Sequence, residues 1–238
     1  MKKMRIDKIL ANLGYGTRSS IKKDMKKGIV SVNGKVEKNS AVQVDLDVDE
    51  LYYYDQKIHY EEYIYLIMNK PAGVISATED FYQTTVVDLL IPEDRVRDPF
   101  PVGRLDIDTE GLLLLTNDGK LSHKITSPKY GVPKKYFVKL RDPLEETAID
   151  RFKRGVYLKD ENVITKPAEL EILSDHTAHL TISEGKFHQV KRMFEAIQNK
   201  VLYLQRVQIG GLALPEDLEP GEYKEMNEEE WQALGIDH

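Results

Sequence analysis

The chain has no cysteine among its 238 residues. That removes disulfides, a thiolate nucleophile and cysteine-built zinc sites together. No apolar run approaches the roughly 20 residues needed to span a bilayer. The opening stretch, MKKMRIDKIL, has a basic tip but no apolar core followed by a cleavage site. No secretion signal is therefore expected, and a cytoplasmic protein without membrane attachment is. There is no internal repeat, no low-complexity segment and no glycine-rich loop for a nucleotide phosphate. With 41% hydrophobic and 31% charged residues, what remains is an ordinary globular chain. Its length suits one large domain, or a small one and a medium one.

Acidic residues are scarce in one place. Residues 1–38 hold eleven lysines and arginines against Asp7, Asp24 and Glu37, a net +8 within a chain whose total is -6. Residues 39–63 then carry seven acids and one lysine, and residues 216–238 nine acids and one lysine. A basic head on an acidic protein points to a polyanionic partner. In RIDKILANL, Ile6, Ile9, Leu10 and Leu13 fall at helical spacing. Gly14-Tyr15-Gly16 breaks that helix, Thr17 stands where an N-cap belongs, and Gly28 closes a second helix. On the second helix Ile21 and Met25 share an inward face, whereas Arg18, Lys22 and Lys26 form an outer line with Lys23 and Lys27 beside it. Asn33-Gly34 predicts a tight hairpin. A single exposed lysine is an ordinary solvated residue, but a one-signed stripe is the pattern of phosphate binding. Arg5, Lys8, Arg18, Lys22, Lys23, Lys26 and Lys27 are the candidate contacts to such a polyanion. The tyrosines at 52–54 and 60 lie among acids and are read as packing residues, not as a base-stacking surface.

A second domain is placed at 61–238, after a head of 1–60. It opens on an apolar strand over 63–68, a Lys-Pro-x-Gly turn and a further short strand. TTVVDLLIP predicts a short helix, KKYFVKL and HLTISEG predict strands, and HQVKRMFEAIQN an amphipathic helix. Strands and helices are interspersed without a βαβ rhythm, so the class is α+β with a mixed, mostly antiparallel sheet flanked by helices.

The stretch VGRLDIDTEGLLLLTNDGKLSH sets Asp106, Asp108, Glu110 and Asp118 around four leucines. It is a poor calcium loop. The twelfth position is Asn117, which lacks the bidentate carboxylate, and the seventh to tenth are leucines that belong in a buried strand. Asp108 and Asp118, each close to a glycine, read as turn residues. Arg104 and Asp106 are not explained by a turn; two apart in an extended segment, they face one way.

GRLDIDTEGLLLLTNDG resembles the signature of pseudouridine synthases, specifically the RsuA/RluB group, in which the aspartate of Gly-Arg-Leu-Asp is essential. YLIMNKPAGVISAT, KKYFVKL and LTISEGKFHQVKRMF resemble the group's other segments, in the same order. The head resembles the ribosomal S-four type RNA-binding domain that precedes this catalytic domain in the group. ITKPAELE and IGGLALPEDLEPGEY look most like the RsuA type, which modifies one uridine in small-subunit (16S) ribosomal RNA. The resemblance implies a catalytic domain of the pseudouridine synthase fold. It makes Asp106 the catalytic aspartate, Arg104 its neighbour in the cleft, Tyr136 the base-contacting tyrosine and Lys191 the basic partner. His188 is expected to be structural or RNA-facing.

Such an enzyme cuts the bond from ribose to a uracil nitrogen and rejoins the ribose to a uracil carbon, with no cofactor and no metal required. Whether the carboxylate attacks the sugar or takes a sugar proton is left open. A neighbouring cation favours the charged form of a carboxylate, and an aromatic face offsets part of the cost of unstacking the base. The expected partner is ribosomal RNA in a small-subunit assembly intermediate, met by a monomer. Two alternatives stand beside this reading: a synthase acting on large-subunit (23S) ribosomal RNA, and an RNA-binding assembly factor without catalysis.

Overall fold

The structure is a computed structural model and describes residues 3–236. Backbone contacts divide the chain into two units, one running to Ile64 and including Ile91–Asp98, the other formed by Tyr65–Leu90 and the chain from Pro99 onward.

In the first unit the helices α1 (Ile6–Asn12) and α2 (Arg18–Met25) begin where the local chemistry says they should. The Thr17 hydroxyl accepts from the backbone N–H of Ser20 at 3.2 Å, satisfying one of the orphan donors of α2. Ile6, Ile9, Leu10, Ile21 and Met25 are buried together with Val30, Leu51, Tyr53 and Tyr60. Each such side chain contributes roughly 1.5–3 kcal/mol relative to exposure. Strands β1 (Val30–Val32) and β2 (Lys35–Val36) flank Asn33 and Gly34, at φ +50° and +77°. Two successive left-handed residues form the mirror-image turn that matches strand twist. Strand β3 (Leu51–Tyr53) pairs with β1 on one side and with β4 (Gln56–Lys57) on the other. Tyr53 and Tyr60 are core residues, in line with a packing role, while Tyr54 is exposed.

The second unit holds, among the described residues, a nine-stranded sheet. Its main path uses β5 (Tyr65–Lys70), β6 (Glu110–Thr116), β7 (Lys134–Leu140), β8 (Glu169–Ser174), β9 (Thr177–Ile182), β10 (Val201–Ile209) and β11 (Tyr223–Glu225) in the spatial order β8-β9-β7-β10-β6-β5-β11. Of its pairings, β10 with β6 is parallel and the others are antiparallel, a mixed and mostly antiparallel sheet as expected. Leu112–Leu115 are all buried because β6 is flanked on both edges and covered on both faces. The β10–β6 contact spans only Gln205↔Glu110 and Arg206↔Gly111. Gly111 has φ +103°, and a Cβ there would lie 2.3 Å from the Arg206 carbonyl oxygen, so this approach needs glycine.

Two local readings are corrected. Asp118 with Gly119 does not close a turn. Asp118 is the N-cap of a helix, α3 (Gly119–Thr126), accepting from the N–H of Lys120 and Leu121 at 2.9 and 3.2 Å. Asparagine, aspartate and glycine serve turns and caps alike, and burial of Leu121 and Ile125 decides for the helix. TTVVDLLIP is a single 3₁₀ turn at Val87–Leu89, followed by the four-residue helix Pro92–Arg95. Proline at 92 starts the second but cannot continue the first. The remaining helices of the unit are α4 (Thr147–Arg154), α5 (Gln189–Ala196) and α6 (Glu228–Leu234). Phe152 of α4 meets Phe194 of α5 at 5.0 Å between ring centroids, inside a core that includes Val138, Leu170, Leu180 and Met193. That core seats α5 beside the acidic loop.

Candidate active site

The loop that enters β6 carries Arg104, Asp106 and Asp108, and it is held from beneath by Lys70, the last residue of β5. Lys70 is 0% exposed. Its Nζ donates to the carbonyls of Thr109 (2.9 Å), Pro71 (3.0 Å), Asp106 (3.1 Å) and Ile107 (3.4 Å). Burial pushes its ammonium down to about 8, with the charges of Asp108, Asp106 and Glu110 opposing the shift. Ser76 adds a reciprocal pair: its Oγ donates to the carbonyl of Leu105 and accepts from the N–H of Leu105, each at 3.0 Å. Gly73 N–H donates to Ile107 at 2.7 Å. The loop thus has few ways to move, and the Asp106 carboxylate is presented from a fixed backbone.

From the other side comes α5. His188, its N-cap, is left-handed at φ +47°. The preceding turn is pinned by Gln189, whose Oε1 accepts from Lys186 N–H at 2.8 Å and whose Nε2 donates to Glu184 at 2.9 Å. One helical turn on, Lys191 Nζ lies 3.0 Å from Asp106 Oδ2 and 2.6 Å from Asp108 Oδ1. Burial opposes the Lys191 charge, but its hydrogen bonds to Asp108 and Asp106 outweigh that and raise its pKa. Hydrogen bonding to Lys191 likewise holds Asp108 below the usual carboxylate range. Asp108, read as a turn residue, therefore also shares the lysine. Its place in the turn gave no sign of this, because Lys191 is 83 residues away. His188 Nε2 stands 3.5 Å from Asp106 Oδ1, and its ring stacks on Phe187 at 3.8 Å.

Arg104, Asp106, Tyr136 and Lys191 line one cavity of about 820 Å³, large enough for a nucleotide. Tyr136 reaches it from β7 and is half-buried, packing on the hydrophobic core of that half of the sheet. Arg104 is exposed, and among the described residues it forms no ion pair. Glu110 turns away and accepts from the Tyr203 hydroxyl at 2.7 Å, which together with burial pushes that phenol up to about 12. Three members escaped sequence reasoning: Lys70, Lys134 and Arg206. Lysine after an apolar strand reads as a strand end, and nothing local says that it points inward. Phe187, at the cavity, and Phe81 and Tyr82 are highly exposed aromatics, which offer stacking faces to unpaired bases.

The candidate RNA contacts all lie in the first unit. Arg5, Lys8, Arg18, Lys22, Lys23, Lys26 and Lys27 are exposed. Arg5 is tied to Asp7 at 2.6 Å and Lys27 to Asp24 at 2.7 Å. Those two are less available to phosphate than the sequence pattern suggests, since each has an acid three or fewer residues away.

The sequence matches the RNA pseudouridylate synthase family over residues 64–196 and the S4 domain over residues 4–49. It is 49% identical over 97% of its length to an uncharacterized RNA pseudouridine synthase, YtzG, of Bacillus subtilis, covering 98% of that protein. It is 43% identical to ribosomal small subunit pseudouridine synthase A of Haemophilus influenzae, over 97% of this chain and 99% of the other. The Escherichia coli protein of the same name is 40% identical, with 95% and 98% covered. A crystal structure of a pseudouridylate synthase superposes with a TM-score of 0.69 at 42% identity, covering 97% of this chain and 99% of that one. With a family match across more than half of the chain and relatives this similar along nearly all of it, the chain belongs to the RNA pseudouridylate synthases, in a form that carries an N-terminal S4 domain.

Proposed function

We propose that this protein converts one uridine of small-subunit (16S) ribosomal RNA to pseudouridine, with Asp106 as the catalytic aspartate. The observation that carries the proposal is the Asp106 carboxylate, held 3.0 Å from Lys191 at the wall of a cavity that also takes in Arg104 and Tyr136. The relatives from Haemophilus and Escherichia are named for the small subunit, which supports that substrate over large-subunit RNA.

In this reading the target base leaves its stack and enters the cavity, at a cost of a few kcal/mol that the Tyr136 face partly offsets. Asp106 meets the ribose either as nucleophile or as base. Lys191, 3.0 Å away, aims the carboxylate, and Arg104 engages the RNA beside the flipped nucleotide. Residues 1–60 act as the RNA-binding module and 61–238 as the catalytic domain. The substrate is an assembly intermediate of the small subunit, in which a structured RNA segment can still release a base, and the active species is a monomer in the cytoplasm.

The test is to map pseudouridine in ribosomal RNA from cells with the gene, without it, and with Asp106→Asn in its place. One small-subunit position should lose the modification in the second and third strains. Loss at a large-subunit position would replace the substrate. No loss anywhere would leave an RNA-binding protein without this activity.

A further inference from the structure

The cavity that holds Asp106 is also lined by a second group of cations that the acid–lysine pair does not use. Arg206 on β10 stands opposite Tyr136 on β7 in the strand ladder, and Lys134 precedes Tyr136 by two residues. The three side chains therefore share one sheet face. All three line the cavity. The two cations are deep, Lys134 at 8% and Arg206 at 4% exposure. Lys134 Nζ donates to the Ile125 carbonyl at 2.7 Å, and Arg206 Nε to the Leu112 carbonyl at 2.8 Å. Arg206 Nη2 is buried with no partner. Among the described residues neither cation has a carboxylate in contact.

Two buried cations side by side, one with an unused donor, are costly unless something anionic completes them. The strain is visible at Lys134, whose ammonium is pushed down to about 8 by burial and by the charge of Arg206. An arriving negative oxygen would reverse both effects.

We infer that Lys134 and Arg206 form the seat for the oxygen of the detached uracil that carries negative charge during the reaction. The inference rests on the cavity being the uridine site, as proposed above. When the bond from ribose C1′ to uracil N1 breaks, its electron pair leaves with the base. C1′ is then satisfied either by an Asp106 oxygen or by a double bond formed as C2′ gives up a proton. In both routes the base is a monoanion, its charge shared among N1 and the two carbonyl oxygens. On rejoining, uracil C5 supplies the electron pair that bonds C1′, and the carboxylate departs or C2′ regains its proton. C5 then releases its proton and N1 takes one up. Atoms and charge balance, as an isomerisation requires. A phosphate does not suit this seat: a flipped nucleotide enters base first, and its phosphates stay with the backbone at the mouth. Donors preset where charge develops, not where it rests, favour the chemical step.

The test uses small-subunit assembly intermediates whose RNA carries the mapped uridine or 5-fluorouridine in its place. Fluorine stabilises the departing anion by itself. In single turnover, Arg206→Gln and Lys134→Met should each cleave the uridine substrate about 100-fold more slowly. RNA affinity should stay within about threefold, since the interaction strengthens only after the bond begins to break. With 5-fluorouridine the loss should shrink to about tenfold, as less stabilisation is asked of the protein. Arg206→Lys, which keeps the charge within the strand, should recover part of the rate and controls for misfolding, with a thermal melt alongside. Equal losses on both bases, a loss confined to affinity, or no loss would overturn the inference. An inactive wild-type protein would instead overturn the proposed function.

Discussion

The two units use positive charge in opposite ways. In the first, Arg18, Lys22 and Lys23 on α2 and Lys26 just past it are exposed, with no carboxylate in contact among the described residues. In the second, Lys70, Lys134 and Arg206 are buried and Lys191 is largely covered, each committed to named oxygens. Outer cations act through counterions that salt replaces, so they attract a polyanion over distance without choosing a position on it. Inner cations are shielded from salt and fixed by geometry, so they select an orientation and act on a single group of atoms. On the proposed function, capture and chemistry are separable in this chain, and the contrast can be broken at either end.

The largest effect should come from the acid around which the inner cations gather. Asp106→Asn keeps the shape and removes the charge. Pseudouridine formation should fall on the order of 10⁴-fold, with RNA affinity changed only a few fold. Asp108→Asn should be far milder, because Lys191 stays 3.0 Å from Asp106. Matched rate measurements on the two variants decide this, and equal losses would sink the assignment.

Lys70→Met comes next. It leaves several carbonyls without a donor and costs about 1–3 kcal/mol of stability. It also loosens the loop that aims Asp106, and a misplacement of about 1 Å can cost roughly 100-fold in rate. A thermal melt and a turnover assay should show both losses. A fully active variant would mean that the loop holds its shape without the lysine.

Replacing Arg18, Lys22 and Lys26 together by glutamine tests the outer set. Binding should weaken, and its salt slope should drop by about 0.7–0.9 for each phosphate no longer neutralised. The modified position and the fold should be unchanged, since Ile21 and Met25 still fill the core. An unchanged slope would make the stripe a solvated helix face. A shifted position would give it sequence-reading power that phosphate binding lacks.

The smallest effect is one of pH. Burial lowers Lys70 and Lys134 from 10.5 to about 8. Between roughly pH 8 and 10 the unfolded chain holds protons that the folded chain has released, so these two groups make the fold more stable as pH rises through that window. Lys134→Met should reduce that slope by less than about 1.4 kcal/mol per pH unit. Denaturant melts across the window give the comparison, and an identical slope would mean that Lys134 titrates normally.

What the sequence shows well is whatever one segment decides alone. Thr17, Asn33-Gly34 and the Ile21/Met25 face act over a few residues, and each does in the structure what its spacing says. The four leucines likewise read as a buried strand. What it hides is set by strand register and by partners far away. Only resemblance pairs Lys191 with Asp106 at the level of sequence, since the two are 85 positions apart. Arg206 and Lys134 look like ordinary strand residues, because their shared face exists only once β7 and β10 are paired. Asp118 reads as a turn because a cap and a turn use the same residue types, and the apolar face of α3 that settles the matter is short.

The parallel pairing at Gly111 has a genetic consequence. Any missense change in that codon adds a Cβ, and the nearest obstacle is backbone of the strand that bears Arg206. No rotamer can relieve it, so β6 must part from β10. In a saturation screen scored by modified RNA, position 111 should tolerate as little as position 106, although it does not line the cavity. Intolerance alone would rank a spacer with the proposed catalyst; only a separate score for protein abundance would tell them apart.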